Sequence, residues 1–224
     1  MMFKIFTIGL ITFLGLISCN NFSGKQTGEL INPTLLTNKE YFSLYKKTDS
    51  IIYVARALIL SDDKFDLHLY EVDISTPGNV KQAFTSTQQL KKQELEIKKA
   101  ELQNSYKWTP LKGNEILFIQ IQPTVFKDEI QLLNKRQEIE DKLDKALDNK
   151  KLGEWLASDL GPGGGNILYI VTNTDKSLKI ILDVLQQNKL DKNVLIGRRV
   201  LISEDDWFYE VIYPTKYSGD FNTM

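Results

Sequence analysis

The chain has one cysteine, one histidine and almost no net charge, and each shortage excludes a class of function. A secreted disulfide scaffold carries an even set of cysteines, and Cys19 has no second thiol to meet. A histidine-based metal site needs two or more suitable ligands. His68 stands alone, and on a hairpin it is expected at a surface or edge position. No G-x-S-x-G elbow surrounds a serine to build a Ser-His-Asp site around it. The formal charge is −1, with lysine and arginine dispersed among the acidic residues, so there is no basic stripe for a nucleic acid. After residue 17 no apolar run approaches the roughly 18 residues of a membrane span.

The remaining motifs that suggest chemistry are weak. Gly161-Pro162-Gly163-Gly164-Gly165 resembles a phosphate loop only in its glycines. A phosphate loop needs a Lys-Ser/Thr pair and a following helix, whereas here a strand-like run follows and the next lysine is Lys176. A hairpin turn is the expectation, because glycine adopts positive φ cheaply. Glu204, Asp205 and Asp206 fall in a short turn, where carboxylates are solvated, and their spacing matches no calcium loop. The expectation is a chain that is not an enzyme and that uses no cofactor and no metal.

What is present begins at the N-terminus. Lys4 precedes a 13-residue apolar run, residues 5–17, which ends in Leu16-Ile17-Ser18-Cys19. A basic start, an apolar middle of about 7–15 residues and a small residue before the cut define a signal peptide. These residues resemble a bacterial lipoprotein signal peptide. The resemblance implies removal of residues 1–18 and lipidation of Cys19 with diacylglycerol and palmitate-type chains. The lipid bilayer is then a partner through acylated Cys19. A buried methylene contributes about 0.8 kcal/mol, and stable anchoring takes more than one chain. Residues 19–33 are polar and rich in Gly, Asn, Ser and Thr, which reads as a flexible tether. Asn20 follows the cysteine where an inner-membrane sorting signal of some lipoproteins has Asp. The implied location is the cell envelope, with the outer membrane favoured over the inner.

Residues 34–110 read as a smaller α/β region: a helix over 34–48, a hairpin from 51–60 and 66–74, and a helix over 80–104. That last helix carries Lys92–Glu96 and Glu94–Lys98 pairs four residues apart and only a thin apolar stripe, so it is expected to be mostly solvated, with partner binding as the alternative. From 111 to 214 the pattern gives strand 115–122, helix 128–150, strand 153–159, strand 166–172, helix 175–188, strand 192–202 and strand 207–213. Residues 215–224 read as a tail. The fold class is α+β: a split β-α-β-β-α-β antiparallel sheet with two helices on one face and an added last strand.

ILFIQIQP, KLDKALDNKKLGEW, the glycine turn running into GNILYIVTNTDKSLKIILDVL, and the strand with Arg198 and Arg199 carry a second resemblance. This stretch resembles small ferredoxin-like bacterial domains of uncharacterised function, an architecture also found in some toxin-neutralising immunity proteins. The resemblance implies a fold and no chemistry.

Two groups of residues are candidates for binding. Trp207, Tyr209, Val211 and Tyr213 alternate along one strand, so they share a face. That face is core if the N-terminal region covers it, which is the favoured expectation, and an aromatic recognition surface if not. Adjacent Arg198 and Arg199 point to opposite faces, and one is expected to pair with Glu210 across the strands or to meet a ligand carboxylate. The functional expectation is a lipid-anchored, non-enzymatic binding or structural module of the envelope, with a possible protein partner. The alternatives are an immunity-type lipoprotein that neutralises a toxin and an envelope hydrolase with an unrecognised carboxylate site. Convergent carboxylates in a pocket would favour the hydrolase, and an exposed aromatic patch would favour the binder.

Overall fold

The runs EYFSLYKKT, IIYVARALILS and KFDLHLYEVD contain no proline or glycine and are rich in aromatic and β-branched residues, a composition that favours extended chain. In the computed structural model, which describes residues 39–223 (backbone alone at 112–115), they form β1 (Glu40–Thr48), β2 (Ile51–Ser61) and β3 (Lys64–Asp73). Two-residue turns at Asp49-Ser50 and Asp62-Asp63 join them as antiparallel neighbours. β4 (Asn79–Lys91) follows and pairs with β3. With β5 (Thr109–Pro110) and β11 (Gly219–Asn222) these strands make a six-stranded sheet in the order β11-β4-β3-β2-β1-β5.

The second sheet has five strands: β6 (Lys112–Ile121), β7 (Gly153–Gly161), β8 (Gly164–Val171), β9 (Val194–Leu201) and β10 (Trp207–Tyr213). Its order is β10-β9-β6-β8-β7, and every pairing is antiparallel. Three helices complete the described residues: α1 (Lys92–Asn104), α2 (Glu129–Asp148) and α3 (Thr174–Gln187). The architecture is therefore mixed α/β with two antiparallel sheets and three helices.

Two expectations in the first half are corrected. Residues 40–48 are strand, not helix; both faces of β1 are covered, so Phe42, Ser43, Leu44 and Tyr45 are all buried and the alternation that marks a half-wet strand is lost. The rest of that expected helix, 34–38, lies outside the described residues. The helix expected over 80–104 is split. Val80 and Gln82 turn inward from β4, and α1 starts only at Lys92, where the Lys91 N–H donates to Glu94 Oε2 at 2.8 Å. Leu95 and Leu102, seven apart, dock α1 on the sheet, while Ile97 is exposed.

The cores follow from these layers. Leu95 and Leu102 of α1 cover Phe42, Leu44, Ala55, Ala57 and Leu67 on one face of the first sheet. Leu132, Ile139, Leu143 and Leu147 of α2, with Ile181 and Leu185 of α3, cover Leu117, Ile119, Ile167 and Tyr169 of the second. The third core lies where the sheets meet, and includes Ile52, Val54, Tyr70, Phe118, Tyr209 and Phe221.

The expected tail, 215–224, contains β11. Phe221 is fully buried and packs edge-on to Phe118 at 5.0 Å between centroids. Burying such a ring contributes about 2–3 kcal/mol. Gly197 makes room for it, since a Cβ there would stand 2.9 Å from the Phe221 ring. β11 thus ties the end of the chain to β4 of the first sheet, and the described residues fall in one compact unit. The glycine run forms the expected hairpin: Gly161 pairs with Gly164 around Pro162-Gly163, and Gly164 has φ +125°.

Candidate functional site

β2 and β10 are almost wholly apolar, and each carries one charge in its middle. Arg56 lies between Ala55 and Ala57, and Glu210 between Tyr209 and Val211. A buried charge persists only when it is paired and hydrogen-bonded, and the fold brings these two together with Arg198 of β9. Register places Glu210 opposite Arg198. Arg198 Nε donates to Glu210 Oε2 at 2.9 Å, and Arg56 Nη2 pairs with Glu210 Oε1. Glu210 is 0% exposed, Arg56 4% and Arg198 7%. Burial opposes ionisation of Glu210, but the Arg56 and Arg198 guanidiniums outweigh it and hold its carboxyl below the usual range. Burial likewise disfavours charge on Arg56, and the Glu210 carboxylate overcomes it.

Glu40, the first residue of β1, completes the cluster from one side. Its Oε2 lies 3.0 Å from Arg198 Nη1 and 3.7 Å from Arg56 Nε, and its side chain is 28% exposed. Arg56 Nε is buried and has no hydrogen-bond acceptor among the described residues. Arg198 Nη2 donates to Ser43 Oγ at 3.3 Å, and the Arg56 guanidinium lies over the Tyr70 ring.

This cluster forms one wall of a cavity of about 470 Å³, within the range of small-molecule sites, roughly 300–1,000 Å³. The first turn of α3 also lines it. Asn173 caps that helix, its Oδ1 accepting the Lys176 N–H at 2.9 Å. By helix geometry the Thr174 and Asp175 N–H groups have no intrahelical acceptor, so the helix presents its positive end. Lys39, Lys176 and Lys179 line the same space. Five cationic side chains face Glu40, Asp175 and, behind the arginines, Glu210, which leaves a formal charge of +2. Leu58, Leu178 and Ile212 supply apolar wall. The arrangement suits an anion.

The residues singled out from sequence are placed as follows. Arg198 pairs with Glu210 as expected, although in a buried site and not on a wet face. Arg199 points the other way, its guanidinium 5.8 Å over the Trp207 ring. Tyr209 and Tyr213 are buried, and Trp207 is 43% exposed. The shared aromatic face is corrected by a bulge between Val211 and Tyr213. It sends Tyr213 to the core under α2 and α3, while Tyr209 joins the core between the sheets. His68 is also corrected: it is 3% exposed because β2 and β4 flank it, with Phe84 and Tyr70 against its ring. Its Nδ1 lies 3.2 Å from the Tyr70 hydroxyl. Burial, opposed by Asp66 and assisted by Arg56, pushes its pKa down to about 4. Cys19 lies outside the described residues.

The turn carboxylates stay apart from the site, and Asp206 pairs with Lys47 at 2.7 Å. No cluster of three metal-ligating side chains exists among the described residues. No helix among them is long and apolar enough to cross a membrane. Sequence reading passed over Arg56, Glu40, Lys39, Lys176 and Lys179. The available signal was the pair of lone opposite charges inside IIYVARALIL and WFYEVIY. No family model, no curated protein and no solved structure matches this chain.

Proposed function

We propose that this chain is a lipid-anchored envelope protein whose folded body binds a small anionic ligand. The observation that carries the reading is the cavity that joins two buried arginines, three lysines and the α3 N-terminus. Binding without chemistry is the better reading because the buried carboxylate, Glu210, is tied to both arginines and Glu40 to Arg198. Glu210, held ionised by both arginines, is not arranged as a proton donor. Anchoring through acylated Cys19, with residues 19–33 as the tether, follows from the resemblance of Leu16-Ile17-Ser18-Cys19 to a lipoprotein signal. The outer membrane remains the favoured site because Asn20 replaces the Asp of the inner-membrane signal. The order β9-β6-β8-β7, with β10 added at one edge, supports a ferredoxin-like reading of residues 111–214.

The test is calorimetric titration of the detergent-solubilised full chain with succinate, citrate and inorganic phosphate. Saturable binding of at least one is expected. Lys176→Glu with Lys179→Glu reverses two exposed charges on α3 and should weaken that binding at least tenfold while leaving the melting temperature nearly unchanged. No binding by the parent chain, or equal binding by the variant, refutes the reading. In the native host, Cys19→Ser should release the protein from the membrane fraction.

A further inference from the structure

The two carboxylates of the arginine cluster are not equivalent. Glu210 is wholly buried and gives one oxygen to each arginine, so it is a fixed counter-ion. Glu40 is partly exposed, lines the cavity and stands at the open end of β1, next to a register shift between Glu40 and Phe42. A single oxygen of Glu40 serves both arginines. It forms an ion pair with Arg198 Nη1 at 3.0 Å and a longer one with Arg56 Nε at 3.7 Å, and that buried N–H has no hydrogen-bond acceptor among the described residues. An unsatisfied buried donor is costly. A carboxylate with both oxygens free would bridge the two arginines, giving one oxygen to Arg198 Nη1 and the other to Arg56 Nε in charge-assisted hydrogen bonds.

We infer that Glu40 holds the place of a ligand carboxylate, and that the ligand is a small organic dianion which displaces it. This inference rests on the anion-binding reading above. One carboxylate of the ligand takes the Arg56–Arg198 position. The other anionic end meets Lys176, Lys179 and the free N–H groups at the start of α3. Glu40 swings toward water, which it already partly contacts, and the formal charge of the site falls toward zero as the dianion enters. The parent affinity therefore reflects competition with a tethered carboxylate at high local concentration.

Glu40→Gln tests this in the full chain, because it removes the competing charge and keeps the side chain's size. Succinate should bind the variant about tenfold more tightly than the parent, and monomethyl succinate should bind both weakly. Glu40→Ser should behave as Glu40→Gln does, with both variants checked by thermal melting. If succinate binds the parent and the variants equally, or the variants more weakly, Glu40 is part of the binding surface and the inference falls while the anion site stands. Inorganic phosphate binding more tightly than succinate would overturn the ligand class. If neither variant folds, Glu40 is a structural counter-ion and the inference is overturned. If no anion binds the parent or the variants, the anion site itself is refuted.

Discussion

Glu210→Gln removes one charge and almost no volume from the centre of the fold. It leaves Arg56 and Arg198, 4% and 7% exposed, with Glu40 as their only carboxylate among the described residues. Breaking a buried ion pair by removing one partner costs about 3–5 kcal/mol, since the surviving charge stays desolvated. Two features set the position within that range. Glutamine still accepts one hydrogen bond, which moves the cost down, and two arginines instead of one lose their counter-ion, which moves it up. The expected loss is therefore about 4 kcal/mol. For a domain of roughly 150–250 residues each kcal/mol moves the melting temperature by about 2–4 °C, so a fall of about 8–16 °C follows.

The assay is urea denaturation followed by tryptophan fluorescence, with circular dichroism melting as an independent readout. A companion variant separates missing charge from missing shape: Arg56→Met, Arg198→Met and Glu210→Leu together replace the whole network with apolar groups. Replacing a buried network in this way is often neutral or stabilising, so the triple variant should recover most of what Glu210→Gln loses. A loss below about 1 kcal/mol in Glu210→Gln would refute the reasoning, because the cavity the arginines line would then solvate them well enough without the carboxylate.

His68 predicts a pH dependence of stability. Its folded pKa, about 4, lies below the ordinary value of 6.5, so the unfolded chain binds a proton that the folded chain refuses. Stability is complete above about pH 6.5 and declines as pH falls toward 4; the depression corresponds to about 3 kcal/mol at the acid end. Urea midpoints measured between pH 7 and 4.5 should fall in the parent and fall less in His68→Gln, and parallel curves would refute the assignment. Gly164→Ala should cost at least about 2 kcal/mol, because φ is +125° and a Cβ would run into the Ile121 carbonyl oxygen. An unchanged urea midpoint would mean that the β7–β8 turn can move away from β6.

The second half of the fold was legible because each element carries its own boundary signals. Pro123 follows the strand at 121, Asn173 caps α3 through its own side chain, and the glycine turn separates β7 from β8. In the first half the decisive information is non-local. Residues 34–48 look helical because Thr37 or Asn38 can cap them, Glu40 falls in the first turn and Leu36, Phe42 and Tyr45 offer apolar surface, yet 40–48 are extended because β2, α1 and β5 enclose them. QQLKKQELEIKKAEL has helical charge spacing from Lys92 onward that invites reading the whole run as helix, but its first four residues complete the ladder with β3. His68 misled for the same reason, since a lone polar residue on a hairpin is exposed only if nothing covers the hairpin. The site was half legible. The Arg198–Glu210 pair follows from strand adjacency, but Arg56 arrives from a strand some 140 positions earlier. No local rule links it to them.

The cluster is an expensive way to fill space, and that bears on what it is for. Apolar residues of similar volume would serve stability as well or better, and the neighbouring strand positions Val54, Val200 and Val211 show that the same sheets fill their interiors with valine. Arginines placed for stability alone would be expected deep in the core, enclosed on every side. Here Arg56 and Arg198 form the wall of a cavity, with a fully buried carboxylate behind them and a partly exposed one in front. Glu210 fixes the guanidinium planes from the rear, so the donors facing the cavity are oriented before any ligand arrives. Preorganisation of this kind lowers the ordering cost of binding, and it works only if the rear counter-ion cannot leave and the front one can. The difference in exposure between Glu210, at 0%, and Glu40, at 28%, matches that requirement.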